Sequence, residues 1–173
     1  MDHQSPMKVE VFTVEHHLLG YVSTDGRRFS DWLNVRDEPT VTLEKVSLRQ
    51  LRDLERTEVS LEFVLASREA ILATIPREAP IVSLTKDRER KPLEHVDKVK
   101  SEVVVSLPPF ALRGHMHLVK DADLRRALLT FPGLFMPVTD ARIVYTPNPK
   151  LLWEGDVVLI NRGKAQLYWP APD

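Results

Sequence analysis

Apolar and polar residues alternate along this chain in short runs, separated by charged or proline-bearing stretches. Period-two alternation puts every second side chain on one face, so such runs predict strands with one face in a core. They fall at 8–14, 19–23, 40–48, 112–118, 134–145, 156–160 and 165–169. Two stretches follow a different period. Phe29, Trp32 and Leu33, and later Leu124, Ala127 and Leu128, stand at i, i+3, i+4, the spacing of one helix face. Each predicts a short helix, with Asp25 and Asp121 or Asp123 placed to cap the start.

The pattern occurs twice. Leu19, Gly20, Tyr21 and Val22 reappear as Arg113, Gly114, His115 and Met116, a separation of 94 (20 to 114). The two helix triplets are 95 apart (29 to 124), as are the blocks opening at Val41 and Met136. Val64, Leu65, Ala66, Ser67 and Arg68 answer to Val158, Leu159, Ile160, Asn161 and Arg162 at 94, and Ile75-Pro76 to Trp169-Pro170 at 94. Blocks in one order at a near-constant offset predict two copies of one β-rich unit. Each copy reads as strand, short helix, strand and closing hairpin. The hairpin turn holds Arg162, Gly163 and Lys164 in the second copy, and Ser67, Arg68 and Glu69 in the first. Between the second strand and the hairpin the copies diverge: residues 49–56 form a charged helical turn or strand extension, and Pro147 and Pro149 force a turn over 145–150.

The expected organisation is an unstructured 1–6, a first unit at 7–80, a charged linker at 81–100 and a second unit at 101–173. The charged stretch, taken from Arg77 to Lys100, carries seven basic and five acidic residues. Ile81, Val82, Ser83 and Leu84, and Val103, Val104 and Val105, are short apolar runs at its borders that read as strands. Residues 8–76 hold nine basic and twelve acidic side chains, and residues from 101 onward hold eight and seven. Neither unit is a basic platform, and the net charge of −1 does not favour nucleic acid or an anionic membrane as the main partner. With 43% hydrophobic residues the chain can bury a core. The absence of cysteine removes disulfides and thiolate chemistry. No signal-peptide pattern opens the sequence and no run approaches the ~18 apolar residues of a membrane span. The expectation is a soluble, cytoplasmic chain.

Several short strands with one small helix, in a unit of about 70 residues, make a small-barrel pattern. The closing hairpin, from Val157 through Arg162 and Gly163 to Tyr168, resembles the second half of an Sm-like barrel. Arg28, Phe29, Ser30, Asp31, Trp32, Leu33 and Asn34, followed by a strand, resemble uncharacterised bacterial families with the same small-barrel pattern. The Sm signature of Asp and then Asn in the middle hairpin is absent. The fold expected is mainly β (α+β): two tandem small Sm-like or SH3-like β-barrel units, each with one short helix. The resemblance implies pairing through strand edges and, as an alternative, RNA binding.

Candidate chemistry is sparse. Arg68 and Arg162 occupy equivalent hairpin turns, with Lys164 beside the second, and could contact a nucleic-acid phosphate or a protein partner. On an acidic-to-neutral chain two such arginines are more often solvated turn residues. His115 and His117 stand two apart on a strand and so share a face, which would suit zinc or copper. Under the repeat, however, they match Tyr21 and Ser23, and surface histidines are the plainer reading. Asp31, with Asp37 and Glu38 nearby, fits a solvated helix face better than acid–base work. Neither a nucleophile elbow, a phosphate loop nor a zinc-protease motif is present, and no cofactor is implied. The expectation is a non-enzymatic assembly or binding module that self-associates through strand edges or binds a protein partner. The alternatives are an Sm-like RNA-binding protein and a metal-dependent enzyme using His115 and His117.

Overall fold

The alternating runs all become antiparallel strands of one sheet. A computed structural model describes residues 5–35, 37–53, 57–77 and 98–173. The elements are β1 (Met7–Phe12), β2 (His16–Val22), α1 (Phe29–Leu33), β3 (Thr40–Gln50), β4 (Val59–Ser67) and β5 (Ala73–Pro76). After the undescribed 78–97 come β6 (Lys98–Leu107), β7 (Phe110–Val119), α2 (Leu124–Thr130), β8 (Phe135–Tyr145), β9 (Leu152–Asn161) and β10 (Leu167–Pro170). A 3-10 turn, Arg68–Ala70, joins β4 to β5. The strand order is β10-β6-β7-β8-β9-β5-β1-β2-β3-β4. The protein is therefore mainly β, as expected. Its ladders run through one open ten-stranded sheet, and the closing hairpins expected from the sequence do not form: β4 and β5 are not paired with each other, nor are β9 and β10, because β5 turns away to pair with β1 and β10 to pair with β6.

The registers of the two five-strand sets coincide at the offsets found in the sequence. Met7 faces Val22 and Phe12 faces His17, and 94 residues on Ser101 faces Met116 and Ser106 faces Ala111. Val9 faces Pro76 and Val103 faces Pro170. In the next ladder Val41 faces Ala66 and Met136 faces Ile160. Each set also has a register shift at its glycine, between Leu19 and Tyr21 and between Arg113 and His115. The residues with left-handed backbone at these bulges are Lys45 (φ 51°) and Asp140 (φ 46°).

Alternation fixes what is buried. Val9, Val11, Val103 and Val105 point inward, and Phe29, Trp32 and Leu33 pack α1 onto the core of the first set. On α2 the matching Leu124, Ala127 and Leu128 are only half-buried against the second core. Asp123 caps α2 by accepting from Arg125 N–H at 3.1 Å. The expected cap at Asp25 does not form. Asp25 and Gly26 instead make a left-handed turn (φ 50° and 80°), and α1 begins after Arg28 with no side-chain cap. β6 opens at Lys98, inside the segment read as linker, while β3 continues to Gln50 as a strand extension. The strand expected at 81–84, most of the linker and residues 1–4 lie outside the described residues.

The bulge glycines are sites of close approach. A Cβ on Gly114 would stand 2.7 Å from Val138 Cγ1, 2.8 Å from Ala141 Cβ and 2.9 Å from the Thr139 carbonyl oxygen. On Gly20 the nearest atoms are 3.1 to 3.3 Å away. Overpacking a core costs about 1–3 kcal/mol. Gly114→Ala is expected to lose stability in that range in urea unfolding, and Gly20→Ala distinctly less. Equal losses would contradict this packing.

Candidate functional site

Three features of the molecule could do work: the seam where β5 meets β9, the two outer strands of the sheet, and a cleft beside the seam. At the seam Ala73 faces Ile160 and Thr74 faces Leu159. The ladder is extended by Asn161, whose N–H donates to the Leu72 carbonyl at 2.8 Å and whose side-chain amide donates to the Ile71 carbonyl at 2.9 Å. Asn34 acts in the other direction. Its Oδ1 accepts from Phe135 N–H at 2.8 Å and its Nδ2 donates to the Phe135 carbonyl at 3.1 Å, so one amide side chain substitutes for a ladder residue. Buried backbone groups need such partners.

Side chains from both sets merge at the seam. Phe12, Leu72, Ala73 and Ile75 belong to the core built around β6–β9, while Phe135 and Leu159 belong to the core built around β1–β4. Trp153 lies edge-on to Phe12 at 4.9 Å and against the His17 ring at 5.1 Å between centroids. Gly155 lets β9 approach closely, since a Cβ there would stand 2.6 Å from Ile75 Cγ2. A polar cluster closes one side of the seam. Glu10 receives Arg77 at 2.7 and 3.1 Å and has His17 Nε2 at 3.4 Å, while Arg77 also donates to the Glu154 carbonyl at 2.6 Å. Burial pushes the Glu10 carboxyl up, but the hydrogen bonds and charges of His17 and Arg77 outweigh it and hold the group below the ordinary carboxylate range.

The outer strands are β4 and β10. Neither has a second strand partner among the described residues, and both carry exposed apolar side chains. Val59, Leu61, Phe63 and Leu65 are 46%, 38%, 59% and 59% exposed, at alternate positions of β4. Leu167 and Trp169 on β10 are 61% and 41% exposed. A contiguous apolar stripe on an open strand edge marks a surface for association.

The cleft, of about 940 Å³, brings Arg68 and Arg162 together from the two sets with Leu33, Asn34, Gly133 and Leu134. Lys164 is exposed on the adjoining turn and does not line it. Both arginines are engaged by carbonyls at the ends of the helices. Arg68, buried, donates to the Leu33 and Glu38 carbonyls. Arg162 donates to the Leu128 carbonyl at 2.7 Å and to that of Phe131. Carbonyls at a helix C-terminus lack intrahelical donors, and a guanidinium supplies several at once. Asp37, Glu38 and Glu69 also line the cleft and make it a poor host for phosphate.

His115 and His117 do share the outer face of β7. His117 Nε2 lies 3.0 Å from Thr139 Oγ1, and the face around them carries ion pairs such as Lys100–Asp140 at 3.0 Å and Arg142–Glu154 at 2.7 Å. Exposed pairs of this kind contribute little. No group of three or more His, Cys, Asp or Glu side chains suited to a metal occurs among the described residues. No helix among them is long and apolar enough to cross a membrane.

Sequence reasoning missed Asn34, Asn161 and the Glu10 cluster, which no motif marks. It also missed the β4 stripe, although the period-two spacing from Val59 to Leu65 was visible and signalled only that one face is apolar. Comparison with known proteins finds no matching family model, no similar curated protein and no similar solved structure.

Two outcomes follow. Replacing Arg162 with Ala removes a charged donor from half-buried carbonyls, worth about 1.5–3 kcal/mol; Arg162→Lys, a point charge without the planar fork, is expected to recover less than half of the loss in urea unfolding. Glu10→Gln is expected to cost about 1–3 kcal/mol at neutral pH. Because the folded carboxyl titrates below its unfolded value, that contribution is complete above the ordinary range near ~4.3 and disappears as pH falls through the depressed folded value. Unfolding curves of parent and variant should converge in acid; a constant gap would contradict the ion-pair account.

Proposed function

We propose that this chain is a non-enzymatic assembly module, built as two equivalent small-barrel units of the Sm-like kind fused in tandem. Its outward strands take up further strands, so the protein self-associates and offers its loops to a partner. The observation that carries this reading is the pair of apolar edges, β4 and β10, at the two ends of one sheet, each without a second strand partner among the described residues. The matching registers of the two five-strand sets support the tandem description. A closed binding cavity with converging polar groups is what a small-molecule enzyme would need. The cleft at the seam instead spends both arginines on helix-end carbonyls. Nucleic acid has weak support, because carboxylates stand beside the two arginines and the net charge is −1.

Sedimentation across the micromolar range tests the reading. A multimer of the 19.8 kDa chain is expected. A strict monomer at every concentration would overturn it.

A further inference from the structure

The seam inside the chain is a template for what the free edges can do. In the seam, Trp153, Gly155, Val157 and Leu159 of β9 all face the first unit: Trp153 against Phe12 and His17, Gly155 against Ile75, and Val157 and Leu159 in the core around β1–β4. Moving back by 94 positions gives Val59, Leu61, Phe63 and Leu65, the exposed stripe of β4. On the other side of the seam Ala73 and Ile75 of β5 are fully buried. Moving forward by 94 gives Leu167 and Trp169, the exposed apolar residues of β10. The two surfaces left uncovered among the described residues are thus the counterparts of the two surfaces that cover one another inside the chain.

We propose that the occupant of β4 is β10 of a second copy of this chain, joined in the register of the β5–β9 seam. The proposal rests on the assembly reading above and names its partner and geometry. Ala73 opposite Ile160 and Thr74 opposite Leu159 translate to Leu167 opposite Ala66 and Tyr168 opposite Leu65 of the neighbouring chain. Pro170 is no obstacle. Its counterpart Pro76 ends β5 in the same place, beyond the residues that pair with β9.

The junction is head-to-tail, because the two edges differ. Each chain then keeps one β4 and one β10 to offer, and copies add until the set closes on itself. The seam's charged cluster has no equivalent in this junction: Glu10, His17 and Arg77 correspond to Val104, Ala111 and Ala171. Association through β4 and β10 is therefore apolar and backbone-directed, and insensitive to salt.

The chain has no cysteine, so single cysteines report the register cleanly. Leu65→Cys and Tyr168→Cys chains are prepared separately, mixed, and treated with a short bismaleimide, with circular dichroism to show that each is folded; Leu65 is exposed in the single chain, so a thiol there is reachable. The expected product is a covalent 65–168 dimer from the mixture, with little from either chain alone and none when Ser60→Cys replaces Leu65→Cys. Phe63→Glu, on the exposed stripe, should lose the multimer and sediment as a monomer while keeping its strand spectrum. A multimer that gives no 65–168 product, or that crosslinks 65 to 65, overturns the register and leaves the assembly reading standing. A parent chain that is monomeric throughout overturns both.

Discussion

Backbone hydrogen bonding at a strand edge is the constraint around which this structure is arranged. A strand with one neighbour has a row of N–H and C=O groups facing outward, and these must meet water or another strand. The two five-strand sets each end in such edges. β5 and β9 satisfy one another, although β5 spans only Ala73–Pro76 and pairs with β9 at two positions. So short a ladder depends on its reinforcement. Asn161 and Asn34 add side-chain bonds at its borders, and Phe12, Ile75, Trp153 and Leu159 make the contact part of both cores. Burying a large apolar side chain contributes about 1.5–3 kcal/mol, more than the net worth of one further hydrogen bond, about 0.5–1.5 kcal/mol. The apolar contacts therefore hold the seam, and the hydrogen bonds fix its register.

The polar residues divide by location. Those on the outer face of β6–β9, including Lys100, Asp140, Arg142 and Glu154, are exposed pairs that keep the sheet wet on one side. Those near the seam and helix ends satisfy groups that would otherwise be buried without partners. Arg68 and Arg162 are the clearest case, since a turn position that looks solvated in one dimension lies over the end of a helix in three. This is also why the two arginines recur at the same offset while the histidines do not.

Much of the fold could be read from the chain because local physics determined it. Period-two runs became strands, the i, i+3, i+4 triplets became helices, and offsets of 94 and 95 matched ladder registers pair by pair. Asp123 capped its helix because it stands directly before Leu124, whereas Asp25 lies too far from Phe29 and was drawn into a turn with Gly26. The arrangement of the two sets was less legible. Alternation says that one face of Val59 to Leu65 is apolar, and nothing local says whether that face meets a core or solvent. Gly155 reads as a weak point in a strand until Ile75 is seen against it. Glu10, Asn34 and Asn161 draw their roles from residues 67, 101 and 90 positions away, a range over which single-sequence patterns carry no signal.

Amide hydrogen exchange as a function of protein concentration tests the central claim most directly, because it reads the edges strand by strand. The account predicts that β5 and β9 amides are protected at every concentration, since their pairing lies within the chain. Outward-facing amides of β4 and β10 should exchange quickly when dilute and gain protection together as concentration rises. Exchange from β4 and β10 that stays fast at all concentrations, or protection of one edge without the other, would contradict it.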